Sequence, residues 1–376
     1  LGPGILWSDT RAADEARQLG DPSEFRRQTG VTIGPGCCAA KMQWVQRHEP
    51  SRFRDAAWLL SPRDVVLARI TGRIATDRTL ASRTGLYNLD GAFIGDEALR
   101  SRLPPVVSSL EQTELVNAHE LALPADAIAI LGAGDRACEV VGIGATASAP
   151  MVSWGTTANV SIPHPGPAPE LPTQGQISRA ALEGFVIEAG LSIAGAALDW
   201  LVALTGWPKT QLVTAAAGVR PGAQGLLAFP WLYGARAPWW RPDVRGAFVG
   251  LTYAHGPAEL TRAMLEGVAI DVERCLDLLD PAARALSLAG RGAAEPLWRT
   301  IIAAVTGRTV LRHQLDEAAS VGARLLVGLA RGEPLTVDDL NPVVGREEPK
   351  PDAVREYAAV REESDRVASQ LMDSGA

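Results

Sequence analysis

Cysteine is scarce in this 376-residue sequence, and the four present, Cys37, Cys38, Cys138 and Cys275, show no CxxC spacing. Adjacent cysteines bridge each other only with strain, so no disulfide framework organises the chain. Four reduced, mostly buried thiols are expected, as in a cytoplasmic protein. Histidine is as sparse, five in all, and shows no metal-ligand spacing; a Ser/His/Asp nucleophile pattern is also missing. No apolar run reaches the ~18 residues of a membrane span, and no charged segment followed by an apolar one opens the chain. Positive charge is not in excess: 36 Lys and Arg against 43 Asp and Glu leave a net −7. That argues against a nucleic-acid or anionic-membrane partner.

What remains is ordinary for a globular protein, with 47% apolar and 21% charged residues, and a length that suggests two domains. Gly4-Ile5-Leu6-Trp7 reads as a short buried strand with no partner before it, which points to a segment preceding Leu1. Residues 9–29 alternate charges as a solvated helix does. Helices are expected at 38–48, 61–70 and 94–102, with polar, turn-like text at 76–89. Ala127–Leu131 is a continuous apolar run that feeds the turn Gly132-Ala133-Gly134-Asp135, as a buried strand does. Short strands at 151–154 and 158–162 flank Gly155-Thr156-Thr157, a hairpin signal. A proline-rich loop follows at 163–174. Pro257 suits a first helical position, and apolar residues then recur at threes and fours to Leu279 with charges between them. A strand at 285–289, a helix at 296–306, a strand at 309–312 and a helix from Glu317 to Gly332 complete an alternating pattern. A charged helix at 352–371 ends it. The fold class is α/β, with ligand loops at the carboxyl edge of a sheet.

Five groups of residues could carry chemistry. Asp135 can accept a proton at a cleft floor, or simply cap the helix that follows. Gly155, Thr156 and Thr157 can aim N–H groups and hydroxyls at phosphate oxygens, or form a plain hairpin turn. Gly290-Arg291-Gly292 lets a flat ligand approach the backbone. Trp7, Asp9 and Arg11 can offer a polyol an apolar face and hydrogen bonds, or be one buried ring and a surface ion pair. Trp239-Trp240 can stack on a sugar or anchor a loop.

The order of these pieces resembles the FGGY family of carbohydrate kinases along nearly the whole chain. Ile5–Arg11 looks like that family's substrate-side strand. Gly36-Cys37-Cys38-Ala39-Ala40-Lys41-Met42-Gln43-Trp44 is similar to its first signature, with Cys38 where Ser, Thr or Pro is usual. Gly246–Leu251 with Glu259-Leu260 and Ala263-Met264-Leu265-Glu266 fits the second signature throughout, and this many fixed positions make it specific. Thr71-Gly72, Thr76-Asp77 and Ala81-Ser82-Arg83-Thr84 resemble its TG…TD…ASxT stretch, and Glu317–Ala319 with Gly322-Ala323 its closing helix. Gly132–Asp135 matches the catalytic-aspartate turn, Gly155–Thr157 the second phosphate loop, and Gly290-Arg291-Gly292-Ala293 the adenosine-site loop.

The resemblance implies an actin-like (ribonuclease H-like) ATPase architecture with two domains around a cleft. Residues 1–126 would be the substrate side, incomplete at its start, and residues 127–376 the nucleotide side. It implies transfer of the γ-phosphoryl group from ATP, with Mg²⁺, to a sugar hydroxyl. Asp135 would be the base; Trp7, Asp9, Arg11 and Arg136 would contact the sugar. Pro35-Gly36 before Lys41 resembles xylulokinases and favours D-xylulose, with gluconate as the alternative. The expected partners are the sugar and ATP, with neither nucleic acid nor membrane; a homodimer is left open. Four departures stand out. No DxGT motif precedes Trp7, so on the order of 80 residues are expected to be missing. Ala235 replaces an acidic residue, Arg291 a glycine, and Arg136 the Asn or Gln that commonly follows the base. A truncated remnant that binds ligand without transferring phosphate is the other class of reading.

Overall fold

The structure, a computed structural model, describes residues 3–6, 8–116, 118–170, 175–279 and 283–374. Its largest feature among them is a seven-stranded mixed sheet formed by β1 (Met151–Trp154), β2 (Ala158–His164), β3 (Gln176–Arg179), β4 (Phe185–Leu191), β5 (Ala285–Ala289), β6 (Thr309–His313) and β7 (Val343–Glu347). The spatial order is β7-β6-β5-β1-β2-β4-β3. β1, β5 and β6 are parallel neighbours, while β2, β4, β3 and β7 add antiparallel. Every residue of β1 and β4 is buried, as central strands covered on both faces must be.

The helices that matter for the site are α1 (Asp135–Gly142), α2 (Gly195–Thr205), α3 (Pro257–Leu279), α4 (Pro296–Thr306), α5 (Ala318–Arg331) and α6 (Pro351–Ser374). α1 and α5 cross backbone to backbone. A Cβ on Gly142 would lie 1.9 Å from the Ala318 carbonyl oxygen, and one on Gly322 would lie 1.9 Å from that of Cys138. Only glycine permits that approach.

α3 runs 257–279 as its periodicity predicts, but it does not present its charges to water: residues 261–276 are all buried. Its polar face is covered instead by α6. Arg262 donates to Glu266 and to the Tyr357 hydroxyl, at 2.7 Å each. Arg274 bonds Asp271, Ser364 and Asp365, and Arg308 and Arg361 pair with Glu273. Buried charges persist only when paired in this way.

The region before residue 127 has no large sheet among its described residues. Short helices gather round Ala12, Phe25, Cys37, Phe53, Leu86 and Leu99, and a two-residue strand, Thr76–Asp77, pairs in parallel with Val106–Val107. Three expectations are corrected here. Pro3–Leu6 is irregular chain and not a strand. The solvated helix at 9–29 is two helices, Ala13–Arg17 and Pro22–Thr29, because Asp21 caps the second by accepting from the Ser23 and Glu24 amides while Pro22 sits at its first position. The helix at 94–102 shrinks to Glu97–Arg100, capped by Asp96. The cysteines are free, with Cys37, Cys138 and Cys275 buried and Cys38 exposed. No helix among the described residues is long and apolar enough to cross a membrane.

Candidate active site

Two glycine turns leave the sheet side by side. β1 and β5 are parallel neighbours, with Ala289 opposite Ser153, so the turns after Trp154 and Ala289 open on the same carboxyl edge. That edge is where open α/β sheets hold ligands. The second turn closes onto the first strand: a Cβ on Gly290, whose φ is +83°, would meet the Trp154 carbonyl at 2.6 Å, and one on Gly292 would meet Trp154 Cδ1 at 2.1 Å. Trp154 itself packs edge-on against Trp298 of α4, with ring centroids 4.5 Å apart.

The first turn has its carbonyls drawn backwards. Gly155 O accepts from the Gly195 amide and Thr156 O from the Ala194 amide, both at 2.9 Å. These bonds tie the turn to the start of α2 and remove two oxygens that would repel a phosphate. Gly155 and Thr156 are exposed, and the Thr156 and Thr157 hydroxyls have no partner among the described residues. A loop of this kind can donate to an anion.

Asp135 sits at the first helical position of α1, exposed, with Gly134 at the N-cap and no side-chain cap bond. The capping alternative therefore does not describe it, although its Oδ1 accepts from the Arg136 amide at 2.8 Å. A carboxylate in a first turn is favoured by the helix dipole. The turn before it is fixed from the other region. The Gly134 amide donates to Thr79 Oγ1 at 2.8 Å, Thr79 Oγ1 donates to Asp77 at 2.6 Å, and Ser109 donates to the same carboxylate at 2.9 Å. Arg63 bridges Asp77 and the Gly132 carbonyl, at 2.9 and 3.0 Å. Asp77 is wholly buried. One turn along α1, Glu139 accepts from Ser153 of β1 at 3.3 Å, which anchors the Asp135 helix to the strand that ends in the Gly155 turn. Burial pushes the Glu139 carboxyl up, against the pull of Arg136.

Arg136 donates to Glu139 at 2.6 Å, and its Nε lies 3.7 Å from Glu188 of β4. Glu188 also accepts from Arg83 at 2.8 Å, Ser178 at 3.2 Å and Asn159 at 3.3 Å. Neither Glu188, Asp77 nor Arg63 was singled out as a site residue from the sequence. For Glu188 a signal existed: it is the lone charge in the apolar run Phe185–Leu191.

Asp9 and Arg11 pair with each other at 2.8 Å, and Arg11 lies 4.9 Å from the centroid of Trp44. The Arg11 hydrogen bond holds the Asp9 carboxyl below its usual range. Trp7 lies outside the described residues. Of the tryptophan pair, Trp239 packs against Trp231 at 6.3 Å and Trp240 lies beneath Arg236, the roles of packing anchors. Ala235, where the family pattern has an acid, is buried. Arg291 opens the short 3₁₀ turn Arg291–Ala294 and is exposed, while Ala293 is buried.

Comparison with known proteins is consistent along the chain. The sequence model described as "FGGY family of carbohydrate kinases, N-terminal domain" matches residues 1–142, and its C-terminal counterpart matches residues 151–331. A xylulose kinase of Klebsiella pneumoniae is 33% identical over 397 aligned positions, covering 99% of this chain and 80% of that protein. A gluconokinase of Bacillus subtilis is 27% identical, covering 95% and 76%. The crystal structure of a xylulose kinase from Rhodospirillum rubrum superposes with a TM-score of 0.89 at 25% identity, covering 100% of this chain and 81% of the other. The expected actin-like α/β architecture is thus the observed one.

Proposed function

The chain belongs to the FGGY family of carbohydrate kinases, and from that premise we propose that it phosphorylates D-xylulose at the expense of ATP, with Asp135 as the base. It is a phosphotransferase acting on a sugar hydroxyl; the choice of sugar, the metal and the residue roles are our reading. D-xylulose is favoured by the xylulose kinases among its relatives and by Pro35-Gly36 before Lys41. D-gluconate is the second reading, favoured by the gluconokinase match and by Thr84-Gly85-Leu86-Tyr87.

The observation that carries the mechanism is the exposed Asp135 carboxylate on a turn that Thr79 and Asp77 hold through the Gly134 amide, on a helix that Glu139 joins to β1. A sugar hydroxyl within hydrogen-bond reach of it would pass its proton to Asp135 as the oxygen attacks the γ-phosphorus in line and ADP leaves. Little else is asked of the protein than positioning and charge neutralisation. Gly155, Thr156 and Thr157 would hold phosphate oxygens. Gly290, Arg291, Gly292 and Ala293 would line the adenosine. Mg²⁺ commonly takes one or two carboxylates together with substrate phosphates, and we assign it no ligand within this chain. Trp7, Asp9, Arg11 and Arg136 would complete the sugar side. We set the boundary between the two sides at residues 126 and 127, and the buried free thiols support a cytoplasmic setting.

In the full-length protein Asp135→Asn is expected to cut sugar-dependent ADP release by ~10²–10⁴ while leaving nucleotide affinity unchanged. Near-normal turnover in that variant would remove Asp135 from the role.

A further inference from the structure

Glu188 stands where an apolar residue would serve the sheet better. All seven positions of β4 are buried, and the Glu188 side chain is only 3% exposed. A carboxylate is costly there unless its oxygens are matched, and they are. Oε1 accepts from Asn159 at 3.3 Å and faces Arg136 Nε at 3.7 Å; Oε2 accepts from Arg83 at 2.8 Å and Ser178 at 3.2 Å. The two arginines reach it from different parts of the chain. Arg83 ends the short helix Arg78–Ser82 that braces the Gly134 turn, and Arg136 follows Asp135 directly. Their side chains are 45% and 34% exposed, so both stay accessible to a ligand, although Arg136 is also held by Glu139 at 2.6 Å. An arginine has five N–H donors and no acceptor. The accessible N–H groups of both side chains can therefore donate but not accept.

We propose that Glu188 is a positioning residue that sets sugar selectivity: it holds Arg83 and Arg136 so that their remaining N–H groups read an oxygen that only accepts hydrogen bonds. A ketose carbonyl and an aldonate carboxylate share that chemistry; the hydroxyl of a polyol at the same carbon can also accept, but carries a proton for which these arginines offer no acceptor. This rests on the reading that Asp135 marks the sugar site. It also accounts for Arg136, the departure from the family pattern beside the base, as one member of a matched set with Glu188.

The test is equilibrium titration calorimetry of the full-length protein with D-xylulose, D-gluconate and D-arabinitol, on wild type, Glu188→Gln, Arg83→Met and Asp135→Asn. Wild type should bind one of the two acceptor-bearing sugars at least about tenfold more tightly than the polyol, since sites built to hydrogen-bond a group discriminate strongly against its absence. Which of the two it is identifies the carbonyl or the carboxylate as the oxygen read. Glu188→Gln and Arg83→Met should shrink that preference to within about threefold, with polyol binding hardly altered. A merely structural role would lower melting temperature and leave the preference in place, which overturns the proposal, as does a wild type with no preference. If Glu188→Gln does not fold, the half-exposed Arg83→Met decides. Asp135→Asn should keep the preference while losing turnover. Lost preference in the Glu188 variant with normal turnover in the Asp135 variant sinks the base assignment alone, and the converse sinks the positioning role alone.

Discussion

On the nucleotide side the proposed binding loops are shaped by backbone: Gly290 and Gly292 close onto Trp154, and the Gly155 turn is fastened by two main-chain bonds to the start of α2. At the proposed sugar site, which draws on residues before and after 126, the shape comes from charged side chains that meet across long stretches of sequence. Arg63 and Asp77 fix the Asp135 turn, and Glu188 gathers Arg83 and Arg136. A backbone-shaped loop can be rigid in any chain that keeps its glycines. A side-chain-shaped site can change its ligand by one substitution, which suits the side of a kinase that must tell sugars apart.

Breaking each side separately sharpens the contrast. The largest effect is expected for Asp77→Ala, which leaves the buried Thr79 and Ser109 hydroxyls without their acceptor and takes one of two carboxylates from Arg63, and should cost roughly 2–5 kcal/mol of stability by denaturant titration. A loss below 1 kcal/mol would show that the Asp135 turn does not depend on this network. Gly292→Ala should come next. Its Cβ would overlap the Trp154 ring, so ATP affinity should fall about tenfold or more while sugar affinity holds. Equal losses for both ligands would mean that the two sides are not separable. Thr156→Val should be mildest, raising the KM for ATP about three- to tenfold through one lost hydrogen bond to phosphate. An unchanged KM would assign the turn to the backbone alone.

The same contrast decides what was legible in the sequence. α3, β5 and α4 match their expected bounds, because Pro257, the glycines at strand ends and an uninterrupted apolar period act locally. The Gly155 and Gly290 turns were equally visible, since a glycine turn after a buried strand is written in four consecutive residues; the run before Gly132, expected as a buried strand, forms Ile128–Ile130, which is exposed to half-buried. What escaped was pairing at a distance. The sequence shows charges between the apolar positions of α3, but not that Tyr357, Ser364, Asp365 and Arg361 of α6, some ninety residues on, cover them. Glu188 escaped for the same reason: its partners lie at Arg83 and Arg136, and nothing local to β4 announces them. The helix expected at 9–29 failed on a local signal passed over, the Asp-Pro pair at 21–22 that stops one helix and starts another.

Sugar-dependent ADP release from Mg-ATP by the full-length protein, across D-xylulose, D-gluconate and glycerol, bears most directly on the central claim. The account predicts turnover that requires a sugar and is fastest with D-xylulose. ATP hydrolysis indifferent to any sugar, or no turnover despite bound nucleotide, would contradict it.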